Sequence, residues 1–401
     1  MHAKEMGPRL VTTYDPAKAY NGYTLFRLSG SEDIWLVNMQ GQFVHHWQIP
    51  RFTGFHAKLL PNGNLLVGVR VPTGPMVDLS GSGGELLELD WDSNVVWKCE
   101  DLYINSHDWH RMENGNTLIA YWVSIPDDVA AKVKGGIPGT EWDGIIWGDC
   151  LREITPDGKV EWEWVAHEYL DIERDIMCPV CPRYTWSYVN SLVTLPDGNI
   201  LTSLRQINTV AIINKRTGKF KWRWGQEELG HQHSPTWLDN GNILVFDNGT
   251  HRQTCDADFA YSRVLEVNPK TNKVEWEYTD ENRTSFYSPV CSNAQRLPNG
   301  NTLICEATKG RIFEVTPEKE IVWEFFNPFY AYYRSGLFGL TNIVYRAYRY
   351  DSDYRGLQGK TLDPDRFEWV LQEKGKLGVT QVYTPPDKER VVSDRLARLG
   401  Y

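Results

Sequence analysis

Short runs in which apolar and polar residues alternate recur along the chain, as in Leu65 to Val69, Leu86 to Asp90 and Ile243 to Phe246. A period of two over so few residues predicts strands with one face turned toward a core. Five of the runs follow the same turn, at Leu60 to Asn64, Met112 to Asn116, Leu195 to Asn199, Leu238 to Asn242 and Leu297 to Asn301. Each turn carries Asn-Gly or Asp-Gly, the pairs that accept the positive φ angles of a tight hairpin. Five copies of one turn make this a repeat.

A second landmark is a hairpin that closes on tryptophan, at Trp47, Trp97, Trp162, Trp222, Trp276 and Trp323. Intervals of about fifty to sixty residues suit propeller blades with loop insertions and suit neither helical solenoids nor a Rossmann alternation. The chain is therefore expected to be all-β, a six-bladed β-propeller of four strands per blade. The sixth blade reads as split. Residues from about Tyr23 to Ile49 supply its outer three strands, and an inner strand near Thr341 to Arg349 returns from the far end, so that both termini close the ring. The expected organisation is one domain over residues 1–401, with insertions at about 124–150 and 166–185 and an extension from about residue 350.

Composition agrees: with 401 residues, 41% hydrophobic and 13% aromatic, the chain can bury a large core and fill the seams between blades. A net charge of −10 without a basic run argues against nucleic acid and anionic membrane surfaces. The start, Met1 to Gly7, lacks the apolar segment of a signal peptide, and no stretch reaches spanning length. The expectation is a cytoplasmic protein as given, periplasmic had the N-terminus been trimmed, with a homo-oligomer left open. Of seven cysteines only Cys178 and Cys181 have chemical spacing. A lone C-x-x-C is half of a zinc site, so these two are expected to be a loop feature, a local disulfide or bare thiols.

The turns also serve as a ruler. Counting back six residues from the one before each Asn/Asp-Gly gives Phe55, His107, Asn190, His233 and Ser292; five back gives His56, Asp108, Ser191, Ser234 and Asn293. These positions begin innermost strands and rim one mouth of the central channel. Polar groups turned toward an axis are desolvated and must be paired or occupied, so their convergence points to a ligand or catalytic site.

Three segments carry a resemblance: Trp186 to Ser191; Ser203 to Arg205 with Thr209 to Asn214; and Gly218 to Gly225. With Gln232-His233, Phe246 to Gly249 and His107-Asp108, the chain resembles the arylsulfate sulfotransferases over about residues 50 to 325. These are six-bladed propellers that move a sulfuryl group between phenols without a nucleotide donor. The resemblance implies that His233 is the nucleophile that becomes transiently sulfated, and that Arg205, Asn190 and His107 hold the sulfuryl oxygens. It implies an aryl sulfate and a phenol as small-molecule partners and no cofactor. An imidazole nitrogen is nucleophilic near neutral pH, and a guanidinium offers a planar fork to two oxygens. At one position the chain departs from the family: the histidine expected two residues before Asn190 is Tyr188, a phenol with a much higher reference pKa.

That departure keeps other classes open. His56, His107 and His233 on neighbouring inner strands, with His231 on the strand face of His233, would suit a divalent metal in a lyase or hydrolase, with Tyr188 and Arg205 handling an anionic substrate. His56, Asn293, Asp108 and His231 are the expected substrate-binding neighbours. A non-enzymatic platform is a third class. The insertions are candidate lids, and the aromatic run Phe325 to Tyr333 reads as packing of the closing blade.

Overall fold

A computed structural model describes residues 10–50, 53–74, 79, 81–253, 259–332, 339–368, 370 and 378–379. Met1 to Gly7, Tyr333, Cys255 and most of the extension beyond 370 lie outside the described residues, as does the Phe55 side chain. Six antiparallel sheets make the blades. The first runs Thr53–Leu59, Leu65–Arg70, Gly84–Leu89 and Val95–Glu100, from innermost strand to outermost. The next four begin at Ile104–Arg111, Val189–Thr194, His233–Trp237 and Asn293–Arg296. In the sixth, the returning strand Val344–Asp351 lies innermost against Gly22–Leu28, Asp33–Val37 and Phe43–Gln48. That inner strand packs beside Asn293–Arg296 on one side and Thr53–Leu59 on the other, which closes the ring. The split blade is as the sequence predicts. A further strand, Val11–Tyr14, extends the fifth blade at its outer edge and carries neither landmark.

The tryptophans prove to be latches between blades. Trp97, Trp162, Trp222 and Trp276 each donate an indole N–H to the outer turn of the following blade, at Pro156 O, Lys215 O, Asn272 Oδ1 and Pro317 O, over 2.7–2.9 Å. Trp323 does the same to Met39 O of the sixth blade at 2.8 Å. Trp47 alone has no acceptor for its indole and packs instead on the edge of Trp91. The last asparagine of a turn has a second task. Asn64, Asn116, Asn242 and Asn301 each donate to a glutamate on the third strand of the same blade, respectively Glu88, Glu153, Glu266 and Glu314. A cation of the following blade then pairs with the same carboxylate: Arg111, Lys215, Arg296 and Arg349. In the third blade Ile212 occupies the corresponding register, opposite Leu201, and no such pair forms there.

Glu314 and Arg349 are both fully buried, 3.3 Å apart. Burial pushes the Glu314 carboxyl up and the Arg349 guanidinium down to about 10, so desolvation outweighs their mutual attraction. Such a pair adds little net stability, but removing one member strands the other charge. Glu314→Ala is expected to lower the unfolding free energy by about 3–5 kcal/mol. Urea unfolding at pH 7 checks this, and a loss below about 1 kcal/mol would mean that water replaces the carboxylate.

The two insertions meet each other. Gly135–Ile137, from the loop inside the second blade, pairs in parallel with Met177–Pro182, from the segment joining blades two and three. The first insertion carries one helical turn, Asp127–Ala130. Of the aromatic run, Phe325 and Phe329 lie in the core with Trp35 and Phe26, as closing-blade packing. Among the described residues no helix is long and apolar enough to cross a membrane.

Candidate functional site

Side-chain amides stitch neighbouring inner strands at one mouth of the ring. Asn105 donates to Val189 O at 3.1 Å, Asn190 to Gln232 O at 2.8 Å, and Asn293 both donates to and accepts from the Ala347 backbone at 2.9 Å. Beside these stitches the chain leaves the regular pleat. Tyr188 and His231, each two residues before the Asn190 and His233 positions, have φ of 56°. Bulky residues adopt such left-handed angles only when their surroundings enforce it, and such residues cluster at functional sites.

His233 opens the inner strand of the fourth blade and is 3% exposed. Its Nδ1 lies 2.7 Å from Asn248 Oδ1. The Asn248 amide can face only one way, because its Nδ2 donates to Ser288 O and Cys291 O at 2.7 and 3.0 Å. Oδ1 must therefore accept, so Nδ1 carries the proton and Nε2 keeps its lone pair. Burial, then the nearby Arg205 guanidinium, hold the imidazole well below its ordinary pKa, so it is neutral. The turn bearing Asn248 is itself fixed: Asp247 accepts from Gly230 N and Gly249 N and pairs with Arg252 and Arg263. One carboxylate thus joins Asn248 to the segment leading into His233.

Arg205 follows the second strand of the third blade and lies over the Tyr188 ring, 5.4 Å from its centroid. Its side chain's one hydrogen bond among the described residues goes to Gln206 Oε1 at 3.3 Å, and no carboxylate among them pairs with it. Tyr188 also meets the His107 ring edge-on at 5.0 Å, so its ring stands between His107 and Arg205. His107 holds Asn105 Oδ1 at 2.7 Å through Nδ1. Since Asn105 Nδ2 is a donor to Val189 O, Oδ1 again accepts, and His107 Nε2 is the basic nitrogen. Burial first, then His233, Arg346 and Arg205, keep this imidazole neutral. It presents a lone pair, not the donor to a sulfuryl oxygen that the resemblance implies. Gly81 makes room for it, because a Cβ there would overlap the His107 ring. Asn190 Oδ1 is buried without a partner.

Other expected site residues are differently employed. His56 Nδ1 lies 2.6 Å from Asp108 Oδ1, its Nε2 is 2.8 Å from the Tyr348 hydroxyl, and its ring stacks on Trp109. Both nitrogens face protein groups, so the imidazole is packed against its neighbours in the wall of the ring. Asp108 also accepts from Arg346 at 3.0 Å and Leu192 N at 2.9 Å. Burial opposes its charge, yet Arg346 and His56 hold the carboxyl below the usual range. It is a buried brace, and so is Asn293. His231 does not share a strand face with His233. It precedes the strand, and its left-handed backbone turns the ring toward Cys181, whose sulfur is 3.6 Å from Nε2. His56, His107 and His233 form no metal-holding group either. The group of three or more potential ligands within reach of one ion, among the described residues, is Cys178, Cys181, His231 and His251. The two cysteines lie on a strand rather than a loop and are not joined to each other.

Sequence reasoning missed Asn248, Asn105, Gly81 and Arg346. Asn248 sits in the quoted Phe246 to Gly249 segment, and Asn105 is two residues before His107, so position alone was a signal for both. Arg346 had none: it belongs to the alternating strand Val344–Asp351 and reaches Asn190 O at 2.8 Å as well as Asp108.

A sequence model described as arylsulfotransferase (ASST) matches residues 99–325. No curated protein matches the chain. Among solved structures, a protein of unknown function from Bacteroides caccae is 14% identical, covers 82% of this chain and 98% of its own, and has a TM-score of 0.51. A streptogramin B lyase is 10% identical over 80% of this chain and 85% of that one, TM-score 0.44. A catalytically inactive virginiamycin B lyase from Staphylococcus aureus, with quinupristin, is 9% identical over 79% and 87%, TM-score 0.42. At such identities the Bacteroides caccae likeness is one of fold.

Proposed function

The chain belongs to the arylsulfotransferase family, and we propose that it moves a sulfuryl group from an aryl sulfate to a phenol, with His233 carrying the group between them. The observation behind this reading is the lock on His233: Nδ1–H is committed to Asn248, so Nε2 is the unprotonated, nucleophilic nitrogen. Its lone pair attacks sulfur, the S–O bond to the aryl group breaks, and the electron pair leaves as phenolate. The N–S bond then holds the group until a second phenol oxygen attacks sulfur and the N–S pair returns to Nε2.

Arg205, which pairs with no carboxylate among the described residues, meets the negative charge that builds on the sulfuryl oxygens. His107 Nε2 takes the proton of the incoming phenol as its oxygen attacks sulfur. Tyr188 stands between His107 and Arg205, so a phenol takes the place of the family's histidine beside both.

The test uses a chromogenic aryl sulfate without acceptor. Release of one phenolate per chain, with a sulfuryl mass adduct that maps to the peptide bearing His233, is the expected result. Turnover with acceptor but no adduct would replace the two-step reading by direct transfer. Because His233 is neutral well below the ordinary imidazole value of 6.5, adduct formation should not fall as pH drops through 6.5. An acid limb centred there would contradict the buried neutral nucleophile. The same shift weakens the fold below pH 6.5, since the unfolded chain takes up a proton that the buried ring refuses, so rates are read where circular dichroism is unchanged.

A further inference from the structure

We infer that Cys178, Cys181, His231 and His251 bind one zinc ion, which fastens the paired insertions to the mouth of the fourth blade beside His233. The four ligand atoms lie within 4.8 Å of one another. His251 Nδ1 is 3.4 Å from both sulfurs, and His231 Nε2 is 3.6 Å from Cys181 Sγ. Zinc bonds of about 2.3 Å to sulfur and about 2.0–2.1 Å to nitrogen, at a tetrahedral angle, put sulfur and nitrogen about 3.6 Å apart. The three sulfur–nitrogen edges, 3.4, 3.4 and 3.6 Å, lie close to that value.

The backbone is shaped for the task at each corner. Residues three apart on a regular strand point to opposite faces, yet these two thiols converge. They do so because Met177 and Pro182 pair with Gly135 and Ile137, only two residues apart, so that 178–181 bulge out as a knuckle. The two histidines take φ of 56° and 57°, left-handed angles that an imidazole adopts only under constraint. His231 N is pinned to Asn208 Oδ1 at 2.9 Å, and three of the four ligands are buried. Two sulfurs and two nitrogens in a tetrahedron select zinc over magnesium or calcium, which take oxygen.

Binding releases two thiol protons to solvent and leaves a neutral cluster of one dication and two thiolates. Neutrality has a local consequence, because Arg205 acts electrostatically on both Cys181 and His231. Bare thiolates would draw on that guanidinium, whereas a neutral cluster leaves it to the substrate. Four protein ligands leave no open position, so the ion holds structure and takes no part in group transfer. What it joins is the 177–182 strand, already tied to the Arg205 turn by Gln206 Nε2–H donating to Pro182 O at 3.1 Å, and the two residues ahead of His233.

Metal analysis of the full chain purified under reducing conditions should find about one zinc per chain. Cys178→Ser and His251→Ala should each lose it, while Cys99→Ser, in the first blade, should keep it. Chelation of the unaltered protein should lower its thermal midpoint, and zinc should restore it. Should the variants fail to fold, replacing zinc by cobalt(II) in the unaltered chain must give the visible bands of a tetrahedral thiolate site. A chain without metal that develops no such bands overturns the inference. So does a Cys178–Cys181 disulfide in the reduced preparation, or metal retained by the Cys178→Ser/Cys181→Ser double variant. None of these readouts depends on sulfuryl transfer.

Discussion

His233→Ala is expected to reduce turnover of an aryl sulfate by about 10⁴-fold or more while leaving the unfolding midpoint nearly unchanged, as loss of a covalent nucleophile does elsewhere. His231, the nearest other imidazole in the sequence, turns its ring toward Cys181 and does not replace it. A companion variant separates nucleophile from orientation. Asn248→Ala removes the acceptor that keeps the proton on Nδ1, so part of the population carries it on Nε2 and is unreactive. Orienting partners of an imidazole count for about 10–100-fold, so Asn248→Ala should be impaired but not dead. Stopped-flow measurement of phenolate release reads both. Equal and complete loss in the two variants would point to collapse of the loop that Asn248 holds, which near-ultraviolet circular dichroism would reveal. Full activity in His233→Ala would end the assignment.

Arg205→Lys is expected to slow the sulfuryl-transfer step by about 10²–10³-fold despite keeping the charge. A lysine offers a point charge where two oxygens need a planar fork, and it gives up the guanidinium's place over the Tyr188 ring. Folding should be spared, since the side chain's one hydrogen bond among the described residues is to its neighbour Gln206. The informative reading is the split between kcat and KM. A fall in kcat with little change in KM means that the contact strengthens as charge develops on the sulfuryl oxygens; a rise in KM alone would mean that Arg205 only attracts the anionic substrate.

The blades were legible because each is built from local signals: Asn-Gly turns, alternating strands and the tryptophan that closes them. Those same turns set the register that brought His107, Asn190 and His233 together. The register fails where the backbone abandons the pleat. His231 looked like a strand neighbour of His233, but a left-handed φ at 231 sends the ring elsewhere, and two-residue periodicity does not encode that. His56, Asp108 and Asn293 misled for a different reason. Polar groups near the axis are either functional or paired with each other, and the partners that decide it, Tyr348, Arg346 and Ala347, lie on a strand more than fifty residues further along in every case. The metal-holding group was half visible as C-x-x-C. Its other half is two histidines separated in sequence from the cysteines and from each other, joined only by the closed ring.

The strand Val344–Asp351 also sets an order of assembly. During synthesis the first five blades emerge before it does, with Asp108 and Asn190 already in place and Gly22–Leu28 paired to Asp33–Val37 on one edge and open on the other. Arg346, which neutralises Asp108 and grips Asn190 O, and Tyr345, whose hydroxyl donates to His107 O at 3.1 Å, then arrive together on the last strand of the ring. A chain released before residue 346 would therefore hold a nearly complete set of blades around an unneutralised buried carboxylate. Competence for chemistry comes in a single late step, when the returning strand enters the sixth blade.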